Sequence, residues 1–421
     1  MATSLGAFVI VGGGQAGAWV ARTLRKEGFA GPVVLIGDEE HWPYERPPLS
    51  KAFLQGTSDI AAMTLLGADQ AAELGIECLR GRRVTAVDRL NHTVTCADGT
   101  ELSYGRLFLT TGGKARTLPW LEGDASGRIH TLRTQGDAER LRTALHRSES
   151  LLVLGGGWIG LEVAATARAM GVAVTVVEAG ARLCARTMPP VVSEYLHGLH
   201  AAEGVVLRMG AAVTGLRPDE AGVTATFGDG TVLRAGHAVI GIGISPDTAL
   251  AAACGLEVAD GIVVDAQGRT SDPAIFAAGD VARHPNDFAG LSLRLESWAN
   301  AQNGAIVAAK ASLGHDVRYA EVPWFWSDQY GANLQMLGLP GAGVRSVARG
   351  APDAGAGCWL MLDANGAFAG AVAVNAPREL RTVRKMLAAA SQPCPDAWAD
   401  PAVPLARVGA IPLPAAVAAA S

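Results

Sequence analysis

Two glycine clusters have the composition and spacing that bring a polypeptide backbone close to a pyrophosphate. They read Gly12-Gly13-Gly14-Gln15-Ala16-Gly17 and Gly155-Gly156-Gly157-Trp158-Ile159-Gly160. In a G-x-G-x-x-G pattern the glycines allow a tight turn, a close approach of main-chain N–H groups to phosphate, and close contact between helix and strand. We call these clusters the first and second cradles, and together they predict that the protein binds two dinucleotides.

The elements expected around the first cradle are those that a dinucleotide site requires. A short apolar strand at 7–11 precedes the cradle, a helix follows it to about Glu27, and a second strand occupies Val33–Ile36. Asp38 comes just after that strand. An acid about 20 residues beyond the glycines commonly binds the adenosine ribose.

The same order of elements recurs around the second cradle. We expect a strand at 151–154, a helix after the glycines, and a strand at 172–177 that ends in Glu178. A carboxylate at this place repels a 2′-phosphate, so the second site favours NADH over NADPH. Arg182 and Arg186 are near in sequence and could pair such a phosphate. Alternatively, they are solvated or contact the adenosine half of the cofactor.

Composition excludes several other classes of protein. The chain of 421 residues is long enough for two or three domains, and its 49% hydrophobic and 18% charged residues are typical of a globular protein. The formal net charge of −5 argues against general nucleic-acid binding. We expect a cytoplasmic protein without a membrane partner, because the sequence has neither a signal-peptide pattern nor a long apolar run. Residues 410–421, rich in alanine and proline, are expected to form a flexible tail.

The cysteines carry no local metal or redox signature. No two of them have C-x2-C or C-x4-C spacing, so zinc, iron–sulfur and active dithiol sites are not indicated, and no metal site is expected. In a reducing compartment they are ordinary thiols, at Cys78, Cys96, Cys184, Cys254, Cys358 and Cys394.

The positions of the cradles predict an inserted domain. We expect a first dinucleotide-binding domain at 1–112 and 244–320, a NAD domain at 113–243 inserted in it, and a third, α+β domain at 321–421; the family resemblance given below makes the first of these the FAD domain. The fold class is therefore α/β, with two doubly wound dinucleotide-binding domains, the second inserted in the first. A short strand before Gly-Asp would place the Asp280 carboxylate near a cofactor polyol.

Over nearly its whole length the sequence resembles the FAD-dependent NADH:ferredoxin reductases of Rieske dioxygenase and bacterial P450 systems. These putidaredoxin-reductase-like proteins are related to rubredoxin reductases and apoptosis-inducing factor. The stretches that carry the resemblance are 12–17, 44–51 (YERPPLSK), 155–162, 278–280 (AGD), 296–301 (ESWANA) and 323–328 (PWFWSD).

The resemblance implies a glutathione-reductase-like fold with a C-terminal reductase domain, and roles for particular residues. It places FAD on Gly12, Gly14, Ala16, Gly17, Asp38, Lys51, Val84, Arg133, Asp280 and Trp298. It places NADH on Gly155, Gly157, Gly160, Glu162 and Glu178.

Three residues are candidates for catalysis. We expect Lys51 and Glu162 to form an ion pair near the flavin, where the cation favours reduced flavin and the carboxylate holds the carboxamide side of NADH. Each could instead be a solvated or structural charge. Trp324 and Trp326 share one face of a predicted strand, as core aromatics do. The resemblance implies that one of them, for which we favour Trp326, covers the flavin region and lines the route to the acceptor.

Electrons would leave the flavin singly, because residues 41–51 contain no cysteine that could relay them. The implied acceptor is a [2Fe–2S] ferredoxin of the Rieske or putidaredoxin type, which feeds a Rieske oxygenase or a P450. A predicted helix has four basic residues that would either attract an acidic ferredoxin or form an ordinary solvated face: Arg378, Arg381, Arg384 and Lys385. Two other functions stay open, a ferredoxin-independent NADH oxidase or dye reductase and an NADH-sensing protein similar to apoptosis-inducing factor.

Overall fold

Short apolar runs in the first quarter of the chain form the parallel strands of one sheet, and a separate group of three antiparallel strands lies among them in the sequence. A computed structural model describes residues 6–121 and 126–413. The elements here are β1 (Phe8–Val11), α1 (Gln15–Lys26), β2 (Val33–Ile36), α2 (Ala52–Gln55), α3 (Ala68–Glu73), β3 (Ile76–Leu79), β4 (Val84–Asp88), β5 (Thr93–Cys96), β6 (Glu101–Ser103), β7 (Arg106–Leu109) and β8 (Gly113–Ala115). A single 3-10 turn at Pro47–Ser50 leads into α2.

The second quarter repeats the arrangement of strand, glycine turn, helix and strand. Its elements are β9 (Ile129–His130), α4 (Gln135–Leu145), β10 (Ser150–Leu154), α5 (Trp158–Ala169), β11 (Ala173–Glu178), α6 (Pro190–Ala202), β12 (Val206–Met209), β13 (Val213–Asp219), β14 (Gly222–Phe227), β15 (Val232–Ala235), β16 (His237–Ile240) and β17 (Ile244–Pro246). The strands and helices predicted around both cradles therefore agree with the structure to within one or two residues.

The chain then returns to the first sheet. Its next elements are α7 (Ala249–Ala253), β18 (Ile262–Val263), β19 (Ile275–Ala277), β20 (Ala282–Asn286), β21 (Leu291–Arg294) and α8 (Trp298–Ser312). Helices α1 and α8 lie against each other over the first sheet, with Ala305, Ala308 and Ala309 fully buried between them and the strands.

Two five-stranded parallel sheets form the frame of the molecule, and each has a cradle strand at its centre. The first has the order β19-β7-β1-β2-β3 and the second β12-β11-β10-β16-β9. β1 pairs with β2 and β7, and β10 pairs in the same way with β11 and β16. Because parallel sheets bury both faces, these strands are almost continuously apolar. The predicted α/β class with two dinucleotide-binding sheets is confirmed.

The first sheet takes strands from both sides of the second sheet in the sequence. β19 pairs with β7, although β9 to β17 lie between them in the chain. Where the chain leaves and returns, β8 and β17 pair antiparallel. The domain boundaries that we expect at 113 and 243 lie at this crossing and stay a prediction.

The last quarter forms an antiparallel sheet of order β22-β23-β26-β25-β24, covered by a helix. Its elements are β22 (Trp324–Gln329), β23 (Ala332–Gly338), β24 (Arg345–Ala351), β25 (Ala356–Leu362), β26 (Phe368–Val374), α9 (Pro377–Ala388), β27 (Ser391–Pro393), α10 (Pro395–Ala399) and β28 (Ala410–Pro412). Among the described residues, no helix is long and apolar enough to cross a membrane.

The expectation of a flexible tail from residue 410 is wrong at its start. Residues 410–412 form β28, which pairs with β27, and Leu413 is buried against the C-terminal core. This pairing links residues about 20 positions apart, so local composition does not reveal it. The rest of the expected tail, 414–421, lies outside the described residues.

Candidate active site

The first cradle uses the three glycines of its G-x-G-x-x-G pattern for two different purposes. Gly12 has φ +120°, and a Cβ there would lie 2.2 Å from the Thr110 carbonyl oxygen. A Cβ on Gly17 would lie 2.1 Å from the Gly12 carbonyl oxygen, so both glycines are required by the fold. A Cβ on Gly14, by contrast, would meet nothing closer than an Arg46 nitrogen at 3.9 Å. Gly14 therefore keeps open the space in front of the N-terminus of α1.

The second cradle repeats this division. Gly155 has φ +110° and lies against the Gly241 carbonyl oxygen, and Gly160 lies against the carbonyl oxygen of Gly155. A Cβ on Gly157 would meet nothing within 4 Å. Each cradle thus leaves an open surface at the first turn of a helix, where unpaired N–H groups favour an anion. The two cradles fit the pyrophosphates of FAD and of a nicotinamide dinucleotide.

Glu178 is fixed at the end of β11 beside the second cradle. Its Oε2 accepts from the Gly156 N–H and its Oε1 from the Gly180 N–H, both at 2.7 Å. The donors of Arg182 are used within the protein, on the Met188 carbonyl and the Ser193 hydroxyl. Arg186 is exposed and lies 3.4 Å from Glu296. The structure therefore supplies a fixed negative charge here, and Arg182 is committed to internal bonds.

The Ala-Gly-Asp segment lies directly on the first cradle. A Cβ on Gly279 would lie 3.0 Å from the Cβ of Ala16. The neighbouring Asp280 carboxylate accepts a hydrogen bond of 2.8 Å from Arg133, so two residues predicted to bind FAD contact each other. Arg133 also donates to the Gly113 carbonyl, beside the crossing between the two sheets.

Lys51 and Glu162 form the expected ion pair. The Lys51 Nζ lies 2.7 Å from Glu162 Oε2, and the glutamate side chain is only 4% exposed. The same oxygen accepts a bond of 2.5 Å from the Ser50 hydroxyl, and Oε1 accepts one of 2.6 Å from the Ser327 hydroxyl. α5 is anchored nearby by a bond from Thr166 Oγ1 to the Ser50 carbonyl. One carboxylate thus joins the segment after the first cradle, the helix of the second cradle and the C-terminal sheet.

Three tryptophans form a row beside the first cradle. Trp298 begins α8, where its carbonyl accepts from Gln15 of the cradle and its Nε1 donates to Glu45. Its ring meets that of Trp326 edge to face at 5.9 Å between centroids, and Trp326 stacks on Trp324 at 5.3 Å. The two tryptophans of β22 share one face, as their alternation predicts.

The row ends at the basic helix α9. The Arg384 guanidinium lies 5.5 Å from the centre of the Trp324 ring. At 3.6 residues per turn, the four basic residues fall within about 120° of the helix circumference. All are exposed, whereas Leu380 and Val383 on the opposite side are buried: Arg378, Arg381, Arg384 and Lys385. We call these four residues the basic face.

Two residues predicted to contact FAD lie away from these contacts. Asp38 is exposed and its carboxylate lies 3.2 Å from Arg83, while Val84 is buried at the start of β4. Arg46 was missed as a functional residue, although it bonds Glu39 and the Arg133 carbonyl beside the open side of the first cradle. Its sequence signal was its place in the YERPPLSK stretch, which carries the family resemblance.

The cysteines form no site among the described residues. All six are free, and no group of three metal-binding side chains lies together in that part of the chain. Burial raises the pKa of the Cys78 thiol to about 11 and also raises the pKa of Cys184. These thiols are therefore protonated at neutral pH and are poor nucleophiles.

The comparisons with known proteins agree with this geometry. Residues 6–305 match the family described as "Pyridine nucleotide-disulphide oxidoreductase", and residues 324–409 match "Reductase C-terminal". The chain belongs to the pyridine nucleotide-disulphide oxidoreductase family and, within it, to the ferredoxin--NAD(+) reductase components of dioxygenase and P450 systems.

Curated relatives support the narrower assignment. The ferredoxin--NAD(+) reductase component of the anthranilate 1,2-dioxygenase system of Burkholderia cepacia is 44% identical over 94% of this chain and 98% of its own. Rhodocoxin reductase of Rhodococcus erythropolis is 41% identical over 93% of this chain and 92% of its own. The resemblance stated from the sequence motifs is therefore confirmed.

Solved structures extend the agreement to the fold. Putidaredoxin reductase, in a covalent complex with putidaredoxin, superposes with a TM-score of 0.92 at 37% identity, over 96% of this chain and 98% of that one. A water-forming NADH oxidase of Lactobacillus brevis has a TM-score of 0.79 at 21% identity over 87% of this chain and 86% of its own. That second likeness shows the fold alone.

Gly157 borders open space whereas Gly155 and Gly160 are packed against main-chain carbonyls. We therefore predict that a substitution at Gly157 affects dinucleotide binding and leaves folding unchanged. Gly157→Ala places a methyl group in open space at φ −85°, which alanine adopts easily. We expect its KM for NADH to rise at least about tenfold, because the methyl group occupies the space expected for the pyrophosphate. The melting temperature and the FAD content should stay those of the parent protein.

Gly160→Ala is the matched control, since its methyl group would collide with the carbonyl of Gly155. We expect this variant to lose thermal stability. Steady-state kinetics and thermal melts measure the two effects, and an unchanged KM in Gly157→Ala would contradict the assignment of the second cradle.

Proposed function

We propose that this protein takes a hydride from NADH on a bound FAD and passes single electrons to a [2Fe–2S] ferredoxin. The observation that carries the proposal is the Lys51–Glu162 pair, which joins the segment after the first cradle to the helix of the second; Glu162 is 4% exposed and Lys51 19%. Burying a charge pair costs free energy, because each ion loses its hydration. We therefore interpret a pair at this place as functional. Relatives that are ferredoxin--NAD(+) reductase components of dioxygenase systems support the same reaction.

FAD fits the first cradle, and its isoalloxazine supplies two-electron chemistry with NADH and one-electron chemistry with a ferredoxin. We assign the pyrophosphate to the open surface at Gly14 and Ala16, and the ribityl chain to Asp280. The bond from Arg133 holds the Asp280 carboxylate in one orientation. Trp298 is placed by Gln15 and Glu45, so its ring is oriented before the cofactor binds.

NADH is the expected reductant rather than NADPH. Glu178 presents a carboxylate fixed by two main-chain N–H groups, and a 2′-phosphate beside it would be repelled. Arg182 offers little to a 2′-phosphate, because its guanidinium donors are committed to Met188, Ser193 and Ala185. Discrimination against NADPH therefore follows from the local charge balance.

Lys51 and Glu162 have distinct roles in the proposed hydride transfer. The ammonium group of Lys51 stabilises negative charge that develops on a reduced flavin, and Glu162 holds the ammonium in place. The carboxylate also orients the carboxamide side of NADH. Because Glu162 is buried and Lys51 is mostly so, the electrostatic effect of the pair is stronger than that of an exposed pair.

The tryptophan row and the basic face form the proposed exit for electrons. Trp326 lies between Trp298, beside the first cradle, and Trp324, which is covered by Arg384. Residues 41–51 hold no cysteine, so a thiol relay of the kind used by disulfide reductases has no starting point there. The basic face would attract an acidic ferredoxin to the end of the row.

The first prediction concerns the ion pair. Lys51→Met should slow flavin reduction by NADH at least about tenfold in single-turnover stopped flow, because one stabilising charge is lost. Lys114→Met is the matched control: Lys114 also pairs with a carboxylate, that of Asp247, but is mostly exposed. An unchanged rate in Lys51→Met, at full FAD content, would remove Lys51 from the reaction.

A second prediction concerns the basic face. Ferredoxin-dependent turnover of the parent protein should fall steeply with added salt, because exposed charges are screened. In Arg381→Glu we expect a higher KM for ferredoxin and a weaker salt dependence, with flavin reduction by NADH unchanged. Arg217→Glu, an exposed arginine on β13, is the control with the same change in net charge. Equal behaviour of the two variants would place the docking surface elsewhere.

The experiment that tests the whole proposal is cytochrome c reduction by the FAD-loaded protein with NADH, with and without a [2Fe–2S] ferredoxin. We expect a large increase on adding ferredoxin. Fast oxygen consumption without any ferredoxin would favour an NADH oxidase instead. A long-lived reduced complex with poor turnover toward every acceptor would favour an NADH-sensing role.

A further inference from the structure

A line of buried polar side chains runs from Glu162 into the interface between α6 and the C-terminal sheet. It contains Ser327 and Gln329 on β22 and His200 on α6, and it ends at the partly exposed Tyr330 just after β22. Ser327 and His200 are fully buried and Gln329 is 2% exposed. None of these residues is needed to hold a dinucleotide, and buried polar groups are costly unless each is paired. Their arrangement therefore needs its own explanation.

The charge on Glu162 fixes the direction of every bond in the line. An ionised carboxylate only accepts, so the Ser327 hydroxyl donates to Oε1 at 2.6 Å. Its lone pairs then accept from Gln329 Nε2 at 2.9 Å, which turns Gln329 Oε1 toward His200. That oxygen lies 2.8 Å from His200 Nε2, so this ring nitrogen carries the proton.

The line ends at a phenol. If His200 is protonated at Nε2 and neutral, its Nδ1 accepts from the Tyr330 hydroxyl, 3.2 Å away. Burial, together with the nearby His197, lowers the pKa of His200 to about 4 against the opposing effect of the Gln329 bond, so the ring is neutral at pH 7. Burial raises the pKa of Tyr330, and Glu203 acts in the same direction against Arg168, so its proton is retained. Each of the four groups thus donates toward Glu162.

We propose that Ser327, Gln329 and His200 are positioning residues for hydride transfer, forming a one-way hydrogen-bond chain that holds and polarises the Glu162 carboxylate. The chain rests on the proposed role of Glu162 in that reaction. Hydrogen bonds aligned head to tail strengthen one another, so the carboxylate gains stabilisation without a second cation. Lys51 is then the only positive group paired with Glu162 among the described residues. The hydrogen bonds of the chain share the stabilisation of the carboxylate, so more of the electrostatic field of Lys51 acts on the cofactor.

The direct test is the tautomer of His200 in the FAD-loaded protein. Long-range proton–nitrogen correlation spectra of nitrogen-15 histidine-labelled protein, with His200 assigned by its loss in His200→Phe, report which ring nitrogen is protonated. We expect the neutral Nε2–H form between pH 6 and 8. The Nδ1–H form would mean that the bonds run the other way, and it would overturn the proposal.

A distant substitution tests whether the carboxylate sets the direction. Glu162→Gln introduces an amide that can itself donate to Ser327, so the chain is free to reverse and the His200 signals should shift toward the Nδ1–H form. Asp328→Asn, on the exposed face of the same strand, is the control and should leave them unchanged. Identical His200 spectra in the parent and in Glu162→Gln would overturn the proposal that Glu162 sets the direction of the hydrogen-bond chain.

Kinetic measurements distinguish a failure of the hydrogen-bond chain from a failure of the proposed role of Glu162, on which the chain rests. Gln329→Met and Ser327→Ala should each slow flavin reduction by NADH about three- to tenfold, as expected for one lost hydrogen bond, with an unchanged KM for ferredoxin. If Glu162→Gln slows the reaction and both chain variants do not, the positioning role is wrong. If Glu162→Gln itself has no effect, while the tautomer shift is present, the role assigned to Glu162 fails and the chain stands.

Discussion

One buried carboxylate determines how the three parts of this protein meet. Glu162 lies on the helix of the second cradle, yet its donors come from Ser50 and Lys51 beyond the first cradle and from Ser327 in the C-terminal sheet. Removing a carboxylate from water costs several kcal/mol unless it is paired and fully hydrogen-bonded. The donors must therefore stay in place, and the elements that carry them are held in register by a single charge.

The apolar sheets supply the rigidity that such a junction needs. Their central strands, β1 and β10, are almost completely buried, and each ends directly at a cradle. The polar groups that could act on a substrate lie where these sheets and the C-terminal sheet adjoin, rather than inside any one of them. This separation keeps the costly desolvation of charge local, while burial of apolar surface stabilises each sheet.

The features that could be predicted from the sequence are those that depend on the spacing of residues close together in the chain. The strands, helices and glycine turns around both cradles follow from local spacing, and the Lys51–Glu162 pair followed from the family motifs. His200 and Gln329 could not be found in this way, since neither has a local signature and they meet only through packing of α6 on β22. β28 was missed for a similar reason: its partner β27 lies before α10 in the chain, and its alanine- and proline-rich composition predicts disorder.

The position of Ser327 and Gln329 has a consequence for exchange of parts between related reductases. The C-terminal unit carries both the basic face on α9, proposed to meet the acceptor, and Ser327, which bonds Glu162 and is itself bonded by Gln329. A chimera that takes this unit from a relative, in order to change the electron acceptor, also replaces the hydrogen bonds that position Glu162. Partner choice and the rate of the reductive half-reaction are therefore inherited together unless these two positions and His200 are matched.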